Sequence, residues 1–102
     1  MASVDSITVS QLSRLIGTPD APVIVDICID PDYQADPRLV PTSFRHPYDD
    51  IAALAPRLAG KRTVIVCQKG KKLSQGAAAI LRTLGIAAEN LEGGIFAWRD
   101  AG

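Results

Sequence analysis

The stretch Thr63-Val64-Ile65-Val66-Cys67-Gln68-Lys69-Gly70-Lys71-Lys72-Leu73-Ser74 decides how this chain is read. Its first four residues are apolar or β-branched, the composition of a strand buried on both faces. A cysteine ends the run. A short basic loop with Gly70 follows, and Ser74 opens a helix-like stretch to Leu84, with Ala77, Ile80, Leu81 and Leu84 on one side and Gly85 as its stop. Ser74 is the expected N-cap, worth about 1 kcal/mol to that helix. A thiol at the carboxyl end of a strand, just before a helix N-terminus, lies among backbone N–H donors and the positive end of the helix dipole. Those are the surroundings of a nucleophilic thiolate with an anion beside it. The chain reads as an enzyme that uses Cys67 as its nucleophile.

Outward from this unit the same alternation continues. Val23 to Ile27 is a second short apolar run, after Pro22, and a weak strand is expected over Ala88 to Leu91. Between Asp30 and Pro47 stand four prolines, Pro31, Pro37, Pro41 and Pro47, so this segment is expected to be loop with at most short structure. Ser10 is the expected N-cap of a first helix bearing Leu12, Leu15 and Ile16, with Gly17 after it. Asp49 or Asp50 is expected to cap a second helix, bearing Ile51 and Leu54, that Pro56 ends or restarts. Gly93-Gly94 leads into a last short helix around Ile95 to Asp100. Alternating strands and helices predict an α/β fold, a small parallel sheet covered on both faces. Ligands of such sheets bind beyond the carboxyl ends of the strands, where Cys28 and Cys67 both fall.

At 102 residues the chain fits one domain spanning 1–102. Lysine plus arginine equals aspartate plus glutamate, 11 each, which gives no reason to expect nucleic acid or an anionic membrane as partner. The charges are segregated, however. Lys61, Arg62, Lys69, Lys71 and Lys72 cluster without an acid among them, while Asp20, Asp26, Asp30, Asp32, Asp36, Asp49 and Asp50 lie between residues 20 and 50. A local positive patch around Cys67 points to a small anionic substrate. No stretch approaches the roughly 18 apolar residues needed to span a bilayer, and no leader pattern opens the chain, so cytoplasm is the expected location. Two cysteines and one histidine, His46, lack any paired zinc spacing; no metal or cofactor is expected.

The segment Val25-Asp26-Ile27 before an acidic, proline-bearing loop, the strand–Cys67–loop–helix unit, and the ending Leu91-Glu92-Gly93-Gly94-Ile95-Phe96-Ala97-Trp98 together resemble a rhodanese (sulfurtransferase) domain. The loop from Cys67 to Gly76 and the stretch Ala35-Asp36-Pro37-Arg38-Leu39-Val40-Pro41 are most similar to chromate-resistance-type rhodaneses. The resemblance implies a rhodanese-like fold and a persulfide relay. Cys67 would take the outer sulfur of thiosulfate or another small anionic donor. It would then yield that sulfur to a thiol or cyanide-like acceptor, a protein thiol included. Gln68, Lys69, Gly70, Lys71, Lys72, Leu73 and Ser74 would form the substrate cradle, and Asp26 would brace the loops.

Two departures from the family pattern stand out. Rhodaneses commonly carry Asp-Val-Arg where this chain has Asp26-Ile27-Cys28, so an arginine near the site is missing; Arg38 or Arg45 is a candidate replacement. The Cys67 loop also approaches the length of the Cys-x5-Arg loop of rhodanese-fold phosphatases. Leu73 holds the arginine position there and cannot clamp an oxyanion in two places. Two alternatives therefore stand beside sulfur transfer. One is a catalytically weak binding or regulatory module. The other is a thiol-dependent oxyanion or redox enzyme in which Cys28 resolves Cys67. His46 is expected in loop packing. Trp98 and Phe96 are expected to seal the last helix on the core.

Overall fold

A computed structural model describes residues 5–35, 37 and 39–101. Five strands form one parallel sheet: β1 (Ser6–Ile7), β2 (Val23–Asp26), β3 (Phe44–Arg45), β4 (Thr63–Val66) and β5 (Ala88–Leu91), in the spatial order β1-β5-β4-β2-β3. The helices are α1 (Val9–Leu15), α2 (Asp30–Ala35), α3 (Ala55–Leu58), α4 (Lys72–Thr83) and α5 (Gly94–Asp100), with a 3-10 helix over Tyr48–Leu54. The expected α/β architecture is present. β4 sits at its centre, and Val64, Ile65 and Val66 have no exposed surface. Burying each such side chain contributes about 1.5–3 kcal/mol, which explains why this run is apolar without alternation.

Two apolar layers flank the sheet. On one face Val25, Ile27 and Ile65 meet Ala77, Ala78 and Leu81 of α4, together with Ile51, Leu54 and Leu58. On the other, Ile24, Val64 and Val66 meet Leu12 of α1 and Ile95 of α5. The alternation of a strand sends neighbouring side chains to opposite faces, and this sorts the two cysteines as well: Cys67 joins the first cluster and Cys28 the second.

Several local expectations need correction. The first helix is capped by Thr8, not Ser10: the Gln11 N–H donates to Thr8 Oγ1 at 3.1 Å and the Thr8 N–H to Gln11 Oε1 at 2.9 Å, a reciprocal capping box. The segment after Pro47 is a 3-10 turn with no side-chain cap from Asp49 or Asp50, and Pro56 restarts the chain as α3 in its first turn. The proline-rich stretch, by contrast, carries only short elements, α2 and β3, as expected. Ile80 of α4 and Leu84 just past its end are exposed; Ala77, Ala78 and Leu81 make the contact, because a short helix over a twisted sheet buries a narrow stripe. Ile95 docks α5, with Trp98 packed part-buried beside it. Phe96 lies under the Arg99 guanidinium, 4.7 Å from its ring centre, not in the core.

Candidate active site

β4 stops at Val66 and delivers Cys67 into a loop held first by backbone contacts. The Cys67 and Gln68 carbonyls accept hydrogen bonds from the N–H groups of Ile95 (2.9 Å) and Phe96 (3.0 Å) in the first turn of α5. Those N–H groups have no partner inside their own helix, so the loop satisfies α5 while α5 holds the loop. The close fit depends on Gly94, at φ +60°, where a Cβ would collide with the Cys67 carbonyl oxygen. Gly70, at φ +69°, is pressed against the same segment: a Cβ there would lie 2.5 Å from the Leu91 carbonyl oxygen and 2.6 Å from the Gly93 nitrogen. Only glycine fits at either position. Asn90 of β5, buried, donates from Nδ2 to the Gly70 carbonyl at 3.3 Å and accepts from Ser6 Oγ at 2.9 Å.

The result is a sulfur with aimed partners. The Gly70 N–H donates to Cys67 Sγ over 3.1 Å, and Cys67 Sγ donates to Ser74 Oγ at 3.2 Å. Ser74 is fully buried and its hydroxyl reaches the Lys71 carbonyl at 3.3 Å. It is therefore not the N-cap expected of it. Helix α4 begins two residues earlier at Lys72, and its first turn has no side-chain cap. The serine lies inside the first turn because its hydroxyl is taken by the sulfur, and the helix's leading N–H groups are left for solvent or a bound anion.

The cleft outside Cys67, about 360 Å³, is lined by Gln68, Lys69 and Lys71 of the loop, by Lys72 and Leu73 at the start of α4, and by Asp32 of α2. Gly70 and Ser74 thus lie beneath this wall, while Lys69, Lys71 and Lys72 are exposed on it. Leu73 packs part-buried on the core cluster and offers no clamp for an oxyanion. Asp32 was not singled out from the sequence, since it sits in a proline-rich, acid-rich stretch that carried no helical signal.

Cys28 has other surroundings. Its N–H donates to Asp26 Oδ1 at 2.8 Å, so Asp26 braces the end of β2, while Asp26 Oδ2 is buried without a partner. Burial, and next the Asp26 carboxylate beside it, push the Cys28 thiol far above its ordinary range. Arg45 donates to the Cys28 carbonyl at 2.6 Å and to Asp30 Oδ1 at 3.2 Å, and stacks over Tyr33 at 4.1 Å. It lines a separate cleft of about 310 Å³ with Cys28, His46 and Tyr48, and so does not stand in for the missing arginine at Cys67. Arg38, the other candidate, and Asp36 lie outside the described residues. His46 Nε2 lies 3.2 Å from Asp50 Oδ2, bracing its own turn.

Among solved structures, a rhodanese-like domain protein from Staphylococcus aureus is 28% identical, with a TM-score of 0.79 over 93% of this chain and 91% of the other. A protein from Rhodopseudomonas palustris described as a possible tyrosine phosphatase is 27% identical, with a TM-score of 0.81 over 97% of this chain and 82% of the other. The human single-domain sulfurtransferase shares the fold, with a TM-score of 0.80 at 18% identity over 98% and 99% of the two chains. No curated protein gives a significant match. No helix among the described residues is long and apolar enough to cross a membrane. The rhodanese-like domain model matches residues 8–101, nearly all of the sheet and both walls of the Cys67 loop, and the chain belongs to the rhodanese-like domain family.

Proposed function

We propose that the protein is a sulfurtransferase that carries sulfane sulfur as a Cys67 persulfide. One observation carries the reading: Cys67 Sγ has both a backbone N–H and a serine hydroxyl within hydrogen-bond reach, at the floor of a cleft walled by three lysines. As thiolate, the sulfur attacks the outer sulfur of a thiosulfate-like anion. A new S–S bond forms, the donor's S–S bond breaks, and sulfite leaves with the electron pair. The Gly70 N–H and the Ser74 hydroxyl, turned as a donor, stabilise the negative sulfur before and after transfer. Lys69, Lys71 and Lys72 raise the local concentration of the anion. An acceptor thiolate or cyanide then takes the outer sulfur and returns the thiolate.

Phosphatase chemistry is disfavoured by Leu73, which points its side chain to the core where a guanidinium is needed. A relay between the two cysteines is disfavoured by their membership of clusters on opposite faces of the sheet. Intact-mass spectrometry after incubation with thiosulfate tests the proposal. Wild type should gain one sulfur, discharged by cyanide, and Cys67→Ser should gain none. A wild-type thiol that alkylates readily yet takes no sulfur would refute it.

A further inference from the structure

The cleft over Cys67 has two sides of opposite charge built from different elements. The β4–α4 loop supplies Lys69 and Lys71, the first residue of α4 supplies Lys72, and α2 supplies Asp32. Among the described residues none of these four side chains makes an ion pair or a side-chain hydrogen bond, so their charges are not neutralised by one another or by neighbours. An anion site alone would gain from omitting the carboxylate. Asp32 repels a dianionic donor and also a persulfide anion on Cys67, and its field reaches the strand ends, where it contributes to raising the Cys28 thiol.

We propose that Asp32 is a specificity-determining residue, and that the acceptor of this site is a small zwitterionic thiol. Its ammonium, placed beside the sulfur, faces Asp32, while its acid group faces the loop lysines. The sulfur step rests on the transfer reading given above; the charge selection does not. In that step the acceptor's thiolate attacks the outer sulfur of the protonated persulfide. The Cys67 S–S bond breaks, its electron pair returns to Cys67 as thiolate, and the outer sulfur leaves on the acceptor with its proton. A thiol carrying only negative charge would approach against Asp32. An adjacent ammonium removes that penalty.

Two methanethiosulfonates of similar size, one bearing a trimethylammonium and one a sulfonate, test the charge selection directly. In both, the Cys67 thiolate attacks the sulfenyl sulfur and methanesulfinate leaves, so the rates differ through the appended charge; adducts are mapped to Cys67 by mass. Removing one unit charge near the mouth should slow the cationic reagent about threefold and speed the anionic one about threefold in Asp32→Asn at low salt. The rate ratio then falls roughly tenfold, and the fall shrinks as ionic strength rises. Asp32→Glu should keep the wild-type ratio. An unchanged ratio in Asp32→Asn, or an equal loss in Asp32→Glu, overturns the assignment.

The acceptor class is tested on persulfidated protein by comparing discharge by cysteine with discharge by 3-mercaptopropionate, which lacks the ammonium. Asp32→Asn should lower the cysteine-to-mercaptopropionate rate ratio by about threefold or more, intrinsic thiol reactivity cancelling between variants. No change refutes the zwitterionic acceptor. Failure of thiosulfate to load Cys67 removes the transfer reading and the acceptor with it, while the reagent ratio still decides the role of Asp32.

Discussion

Two parallel strands of this sheet end next to a cysteine, and the two thiols have opposite surroundings. Beyond β4, Cys67 meets a backbone N–H, a serine hydroxyl and a rim of lysines. Beyond β2, Cys28 lies beside a buried carboxylate, and its carbonyl, not its sulfur, receives the nearby arginine. The residue type is the same and both lie just past a strand end, though on opposite faces of the sheet; what differs at the sulfur is the sign of the charges and dipoles aimed at it. The comparison teaches that a strand-end cysteine becomes a candidate nucleophile through the loop that follows it. After Cys67 comes a loop that turns N–H groups inward on Gly70; after Cys28 comes a short acidic helix.

The largest expected effect separates the pair outright. Cys67→Ser should lower thiosulfate-to-cyanide sulfur transfer by about a thousandfold or more, because the covalent carrier is gone. Cys28→Ala should lower it by less than about tenfold. Comparable losses in the two variants would break the comparison and favour a two-cysteine mechanism.

A smaller effect tests whether the backbone clasp, and not the strand, makes the Cys67 loop. Gly94→Ala adds left-handed strain and a collision with the Cys67 carbonyl, together about 3 kcal/mol. The melting temperature of a domain this size should fall by roughly 15 °C, with the Cys67 alkylation rate altered in the protein that remains folded. A melting temperature within a few degrees of wild type would show that the clasp is dispensable.

The smallest effect reads Cys28 through pH. Its thiol is held above the ordinary value of 9.0 in the folded state. Its contribution to stability is therefore complete below pH 9.0 and declines above it, because the unfolded chain then releases a proton that the folded chain retains. Between neutral pH and pH 10 wild type should lose roughly 1 kcal/mol more stability than Cys28→Ala. Parallel pH profiles for the two proteins would show that Cys28 is not held as a neutral thiol.

Much of this architecture was legible in the sequence, and the failures have physical causes. β2 and β4 are apolar enough to declare themselves, β5 with Glu89 and Asn90 only weakly, and Gly85 and Gly93-Gly94 punctuate the chain at visible points. The strands Ser6–Ile7 and Phe44–Arg45 have two residues each, too few to show a period; only pairing with β5 and β2 makes them strands. Ser10 and Thr8 are both good caps by type, and the choice between them depends on Gln11 standing three residues after Thr8. Ser74 reads as a cap until Cys67 is seen to occupy its hydroxyl. Cys67 and its lysine-bearing loop were legible because strand, loop and helix are contiguous. Asn90 and Asp32 were not, since each reaches the loop from a distant segment and only tertiary structure brings them there.

The hold of α5 on the Cys67 loop has a consequence for synthesis. A ribosome makes Gly94, Ile95 and Phe96 well after Cys67, yet the Cys67 and Gln68 carbonyls are fastened by the N–H groups of residues 95 and 96. A nascent chain that has passed β4 and α4 carries the thiol but not the clasp. Its loop has no reason to keep Gly70 and Ser74 aimed at the sulfur. The surroundings of Cys67 are thus completed late: the cysteine gains them only once α5 has been made and docks.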